Sequence, residues 1–110
     1  MSERVIKGDQ SGNASPERIK AVGDIIRGLM QMVDDNKLVE VESAQPENLK
    51  QYEVKDSAGN EITYIRDSAG HLAASIEIRD SNGKLIAQSE DGKDWTIDRY
   101  TGQGVDFTVV

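Results

Sequence analysis

No cysteine occurs among the 110 residues, which excludes disulfide frameworks, thiol nucleophiles and Cys-ligated zinc. Histidine appears once, as His71, so the paired groups that usually activate a nucleophile are missing. No apolar run approaches the ~18 residues of a membrane helix, and the N-terminus lacks the apolar segment of a signal peptide. A cytoplasmic chain with no membrane partner is expected. Basic residues are in deficit: 13 face 20 acidic ones, a net charge of −7. Phosphate repulsion at that charge argues against direct nucleic-acid binding. The patterns G-x-x-x-x-G-K-[ST], G-x-G-x-x-G and G-x-S-x-G are also missing, and Gly102-Gln103-Gly104 reads as a loop. The expectation is a non-enzyme with no cofactor and no metal.

What is present is enough for one small core. Leu, Ile, Val and Phe make up 25 of the 110 residues, just above the roughly 20% below which disorder is expected. Residues 1–14, polar apart from Val5-Ile6, read as a mobile arm, and 15–110 as a single domain. Val5-Ile6 could add a short strand to the chain itself or to a partner.

Ser15-Pro16 opens a helix: serine offers a capping oxygen, and proline at the first position has no N–H to leave unpaired. Ile19, Val22, Ile25, Ile26, Leu29, Met30 and Val33 then recur at offsets of three and four, forming one apolar stripe. Asn36 can adopt the left-handed conformation that ends it. Asp34 and Asp35 sit at the electrostatically unfavourable end. Gly23 and Gly28 inside the helix suggest close approach of its backbone to a neighbour.

From Leu38 the period changes to two. After Leu38–Glu42 and a polar connection at 43–51, strands are expected at 52–56, 61–67, 71–80, 84–90, 95–101 and 105–110. Connections this short force antiparallel neighbours. The predicted class is α+β: one long N-terminal amphipathic helix on an antiparallel meander of about six strands. The predicted core places Ile19, Val22, Ile26, Leu29, Met30 and Val33 against Leu72, Ala74, Ile76, Ile78, Trp95, Ile97 and Phe107.

One unit repeats: VKDSAGNEI at 54–62, IRDSAGHLA at 65–73 and IRDSNGKLI at 78–86. Aspartate can bond backbone N–H groups two residues on, and glycine supplies positive φ, so D-S-x-G is hairpin-turn chemistry. In Tyr52-Glu53-Val54-Lys55-Asp56-Ser57-Ala58-Gly59 the strand-and-turn grammar resembles Rhs/YD-type shell repeats. The tyrosine is absent from the corresponding place in the next two copies, so the likeness is read as shared turn chemistry. A calcium loop of the D-x-[DN]-x-[DN]-G kind needs glycine at the sixth position, whereas Asp80-Ser81-Asn82-Gly83 has it at the fourth.

Charge is unevenly divided. Residues 1–37 carry six acids and six bases; residues 38–110 carry fourteen and seven, so the whole −7 lies in the sheet region. Such a sheet can steer onto a basic partner surface or simply stay soluble. The leading expectation is a small acidic protein-binding module, of inhibitor, immunity or anti-defence type, with Glu40 and Glu42 among its contacts. The alternative is an assembly subunit of a phage particle, secretion machine or pilus that works by strand addition. The strand Val105-Asp106-Phe107-Thr108-Val109-Val110, if at an edge, would supply the protein-binding surface or a homo-oligomer contact. A ligand-binding or enzymatic domain is a third reading and would need an apolar pocket.

Overall fold

The computed structural model describes residues 6–7, 16–42, 45–100 and 103–109. Its elements are β1 (Ile6–Lys7), α1 (Pro16–Asp34), β2 (Val39–Val41), β3 (Leu49–Lys55), β4 (Glu61–Asp67), β5 (Ile76–Arg79), β6 (Leu85–Ser89), β7 (Asp94–Tyr100) and β8 (Gln103–Val109). The strands form one antiparallel sheet in the order β1-β8-β7-β6-β5-β4-β3-β2. It is the expected α+β arrangement, with two short strands added to the six main ones. The mobile arm expected over 1–14 lies, apart from β1, outside the described residues. No helix among them is long and apolar enough to cross a membrane.

Helix α1 starts at Pro16 and ends as its sequence dictates. Asn36 has φ of 59°, the Lys37 N–H donates to the Met32 carbonyl at 2.9 Å, and the Asn36 N–H donates to Val33 at 3.0 Å. This paired closure satisfies carbonyls that the helix cannot satisfy itself. Asp35 accepts a hydrogen bond from Gln31 Nε2 at 3.2 Å, which gives one of the two terminal acids a local partner. Ile19, Val22, Ile26, Leu29 and Met30 are buried against Ile62, Tyr64, Ile76, Ile78, Ile86, Ala87, Trp95 and Ile97, while Val33 is half-buried at the margin. The Tyr64 hydroxyl donates to Met30 Sδ at 3.3 Å, tying the last turns of the helix to β4.

All three D-S-x-G units make the same turn. In each, the aspartate Oδ1 accepts the N–H groups two and four residues on: Ala58 and Asn60 on Asp56, Ala69 and His71 on Asp67, Asn82 and Lys84 on Asp80, at 2.9–3.0 Å. Gly59, Gly70 and Gly83 have φ of 87°, 85° and 81° and close the turns by donating to the aspartate carbonyls. These are three-residue hairpin loops with a left-handed residue before the returning strand.

The structure corrects three expectations. The strand placed at 71–80 is regular only over Ile76–Arg79, and Leu72 and Ala74, expected in the core, are exposed. Leu72 bridges Arg66, and the Ala73 N–H donates to the Ile65 carbonyl. The pairing then shifts, so that Glu77 faces Thr63. Ala73, Ala74 and Ser75 form the offset; these small side chains gain little from a pleated surface. Second, β3 begins at Leu49, inside the segment read as a polar connection. Third, Gly28 is exposed, and a Cβ built there meets nothing within 4 Å, so close approach does not explain it; Gly23 is buried. A bulge in β6, where the β5–β6 register shifts, turns both Ile86 and Ala87 inward, which alternation alone does not foretell. The Phe107 side chain and Val110 lie outside the described residues.

The two glycine environments have opposite consequences. Gly28→Ala should stabilise the fold by up to about 1 kcal/mol through helix propensity. Gly59→Ala should destabilise it by about 1–3 kcal/mol, because positive φ is strained for alanine and the new Cβ would stand 3.0 Å from Ser81 Cβ. Urea unfolding midpoints of the two variants check both signs.

Candidate protein-binding face

Among the described residues a single helix covers one side of the sheet. On the other side the strand register places Val39, Glu53, Thr63, Glu77, Gln88 and Thr96 in one row across β2–β7. A second row holds Lys55, Glu61, Arg79 and Leu85, and a third Val41, Gln51 and Ile65. No element among the described residues packs on this outer face. Most of its side chains are only half-buried by their strand neighbours, and Val39 is 62% exposed.

Three carboxylates gather near the middle. Gln51 Nε2 donates to Glu53 Oε2 at 2.7 Å, Arg79 pairs with Glu77 at 3.1 Å, and Lys55 with Glu61 at 3.8 Å. Arg79 also donates to the Gly83 carbonyl at 3.1 Å, which fixes its guanidinium toward the β5–β6 turn. Burial raises the pKa of Glu61, and the charge of Glu53 raises it further; Lys55 and Arg79 oppose both. A hydrogen bond shared with Glu53 also favours the proton on Glu61. At the β2–β4 side, Val39, Val41 and Ile65 supply an aliphatic margin. Chemically, the face offers carboxylate acceptors beside apolar contact area.

The residues expected to form the binding site do not come together. Glu40 is exposed on β2, 3.6 Å from Lys50, and shares the helix side of the sheet with Tyr52. Glu42 is exposed just beyond that strand. Val105, Asp106, Phe107, Thr108 and Val109 lie in β8, at the other end of the sheet, paired to β7. The outer backbone edge of β8 is taken at Thr108 and Val109 by Lys7 and Ile6 of β1. The rest of that edge has no strand partner among the described residues. Glu53, Glu61 and Glu77 were not singled out from sequence, although period-two alternation in three consecutive strands was the signal that aligns them.

The residues weighed for catalysis are dispersed. His71 is 81% exposed and 4.0 Å from Asp67, its own turn residue. No group of three or more potential metal ligands is found among the described residues. Asp91, in the turn between β6 and β7, accepts the N–H groups of Lys93 and Asp94 at 2.8 and 2.9 Å. Those backbone donors hold its carboxyl below the usual range. Compared with known protein families, curated proteins and solved structures, the chain matches none.

The Glu53–Glu61 pair makes a pH prediction. Because folding raises the Glu61 pKa, the native state keeps this proton to higher pH than the unfolded chain does. Its effect on stability is therefore most favourable at low pH and fades as pH rises through the folded-state pKa. Glu61→Gln retains a hydrogen-bond donor toward Glu53 without the charge. The variant should melt above the parent at neutral pH, with the gap closing as pH falls below the ordinary glutamate range; paired thermal melts across pH measure this.

Proposed function

We propose that the chain is a non-enzymatic protein-binding module, of inhibitor, immunity or anti-defence type, that lays its outer sheet face on a basic surface of a larger protein. The supporting observation is the outer face itself, on which no element among the described residues packs, with carboxylates at its centre and Val39, Val41 and Ile65 at its margin. Six strands at about 4.8 Å spacing span roughly 29 Å, on the order of one side of a standard protein–protein interface. The excess of acid in residues 38–110 would speed encounter with a basic partner, and the aliphatic margin would slow its release.

A second reading, an assembly subunit joined by strand addition, draws on β1. A two-residue strand paired at the end of β8 is of a kind that can exchange between identical chains. Light scattering at high concentration separates the readings: a strict monomer opposes assembly, and a closed ring or filament supports it.

The face is tested by reversing its charge. With the parent protein as bait in native host lysate, a protein should be retained at low salt and released as salt rises. The double variant Glu53→Lys, Glu77→Lys should retain at least tenfold less of it while staying folded. Equal retention by parent and variant, or no retained protein, overturns the proposal.

A further inference from the structure

The three aspartate–glycine turns share a backbone and differ in one side chain. Ala58 and Ala69 precede the glycine in the first two, whereas Asn82 precedes Gly83 in the third. It is the only Asn-Gly pair in the chain, since Asn13, Asn36, Asn48 and Asn60 are each followed by a residue with a side chain. Ser81, Asn82, Gly83 and Lys84 are all exposed, and a Cβ built on Gly83 meets nothing within 4 Å. Among the described residues no hydrogen bond holds the Asn82 carboxamide, which is therefore free to rotate.

An asparagine followed by glycine can react with its own backbone. The Gly83 nitrogen attacks the Asn82 side-chain carbonyl carbon, its proton passes to solvent, and Nδ2 leaves as ammonia, closing a succinimide ring. Water then opens either C–N bond of the ring. One product is aspartate; the other is isoaspartate, in which the main chain runs through the former side chain. One water is consumed and one ammonia released, with no oxidant or reductant. Glycine favours the step because no Cβ obstructs its nitrogen.

The closed turn opposes that attack. The Gly83 N–H donates to the Asp80 carbonyl at 2.9 Å, while the Asn82 and Lys84 N–H groups donate to Asp80 Oδ1 at 2.9 and 3.0 Å. The nitrogen is thus aimed across the turn and cannot swing toward the Asn82 side chain until that bond breaks. The neighbouring Asp80 carboxylate also disfavours the negative charge that grows on the nitrogen as its proton leaves.

We propose that Asn82 is a self-modification site whose conversion to aspartate or isoaspartate is gated by the Asp80-held turn, so that its rate follows the fraction of time this turn is open. Isoaspartate lengthens the loop backbone by one methylene, which displaces the Gly83 carbonyl that Arg79 Nη1 now meets at 3.1 Å. Either product adds one negative charge, taking the net −7 to −8.

The test incubates the full chain in mildly alkaline buffer and follows residue 82 by peptide mass spectrometry, with electron-transfer fragmentation separating isoaspartate from aspartate. The chain unfolded in guanidinium chloride should convert at Asn82 ahead of the other four asparagines. The folded parent should convert at least tenfold more slowly. Asp80→Ala should convert at least threefold faster than the parent. Asp56→Ala, which loosens the matched turn between β3 and β4, should convert at the parent rate. Near-UV dichroism of buried Trp95 verifies the fold of each variant. Should Asp80→Ala not fold, the folded-to-unfolded ratio of the parent and the Asp56→Ala rate still decide. The proposal is overturned by no conversion at Asn82 in the unfolded chain, or by equal rates in folded and unfolded parent. A parent-like rate in folded Asp80→Ala, or an equal acceleration by Asp56→Ala, also overturns it.

Discussion

One amphipathic helix has to close the core of an eight-stranded sheet, and that constraint organises the molecule. The stripe from Ile19 to Met30 buries one side of the strands, so each of β4, β5 and β7 turns isoleucine, tyrosine or tryptophan toward it. Full burial of one such side chain contributes about 1.5–3 kcal/mol, and no second helix among the described residues repeats the effect on the reverse side. The reverse side carries threonine, glutamine and glutamate together with Lys55 and Arg79, beside the aliphatic Val39, Val41, Ile65 and Leu85. Its polarity follows from the same alternation that fills the core. The polar outer face is thus a by-product of having one covering helix among the described residues.

The local rules carried most of the fold. The helix limits, the left-handed Asn36 and the three aspartate–glycine turns each rest on a neighbour-to-neighbour preference that no tertiary contact overrides. Strand 61–67 was legible to the residue, although Ile65 blurred which of its faces was apolar. Failures occurred where register changes between strands. Leu72 and Ala74 share the alternation of Ile76 and Ile78, but the ladder slips before reaching them. Ile86 was missed for the complementary reason, since a bulge makes two consecutive residues point inward. A period read along one strand contains no information about such slips in its pairing.

The candidate sites were less legible than the fold. Glu40 and Glu42 drew attention because alternation puts them on one face of one segment, yet the carboxylates that cluster come from β3, β4 and β5. Their proximity depends on register across three strands. Arg66 looked like one more base beside an acid, Asp67. The turn engages Asp67 with backbone N–H groups, leaving the guanidinium to the tyrosines on the other side of the strand. A charge next door in sequence is on the opposite face of a strand, so sequence adjacency is a poor guide to ion pairing here.

Six of the seven strand pairings join strands that are consecutive in the chain, and only β1 with β8 brings its two ends together. In kinetic terms, the meander can grow one hairpin at a time, each closure restricting only a short loop, with three aspartate-anchored turns ready to nucleate it. Strand β1 is the opposite case. It closes the longest loop among the described strand pairings for only two paired residues and is paired on one side alone, so folding gains least by adding it early.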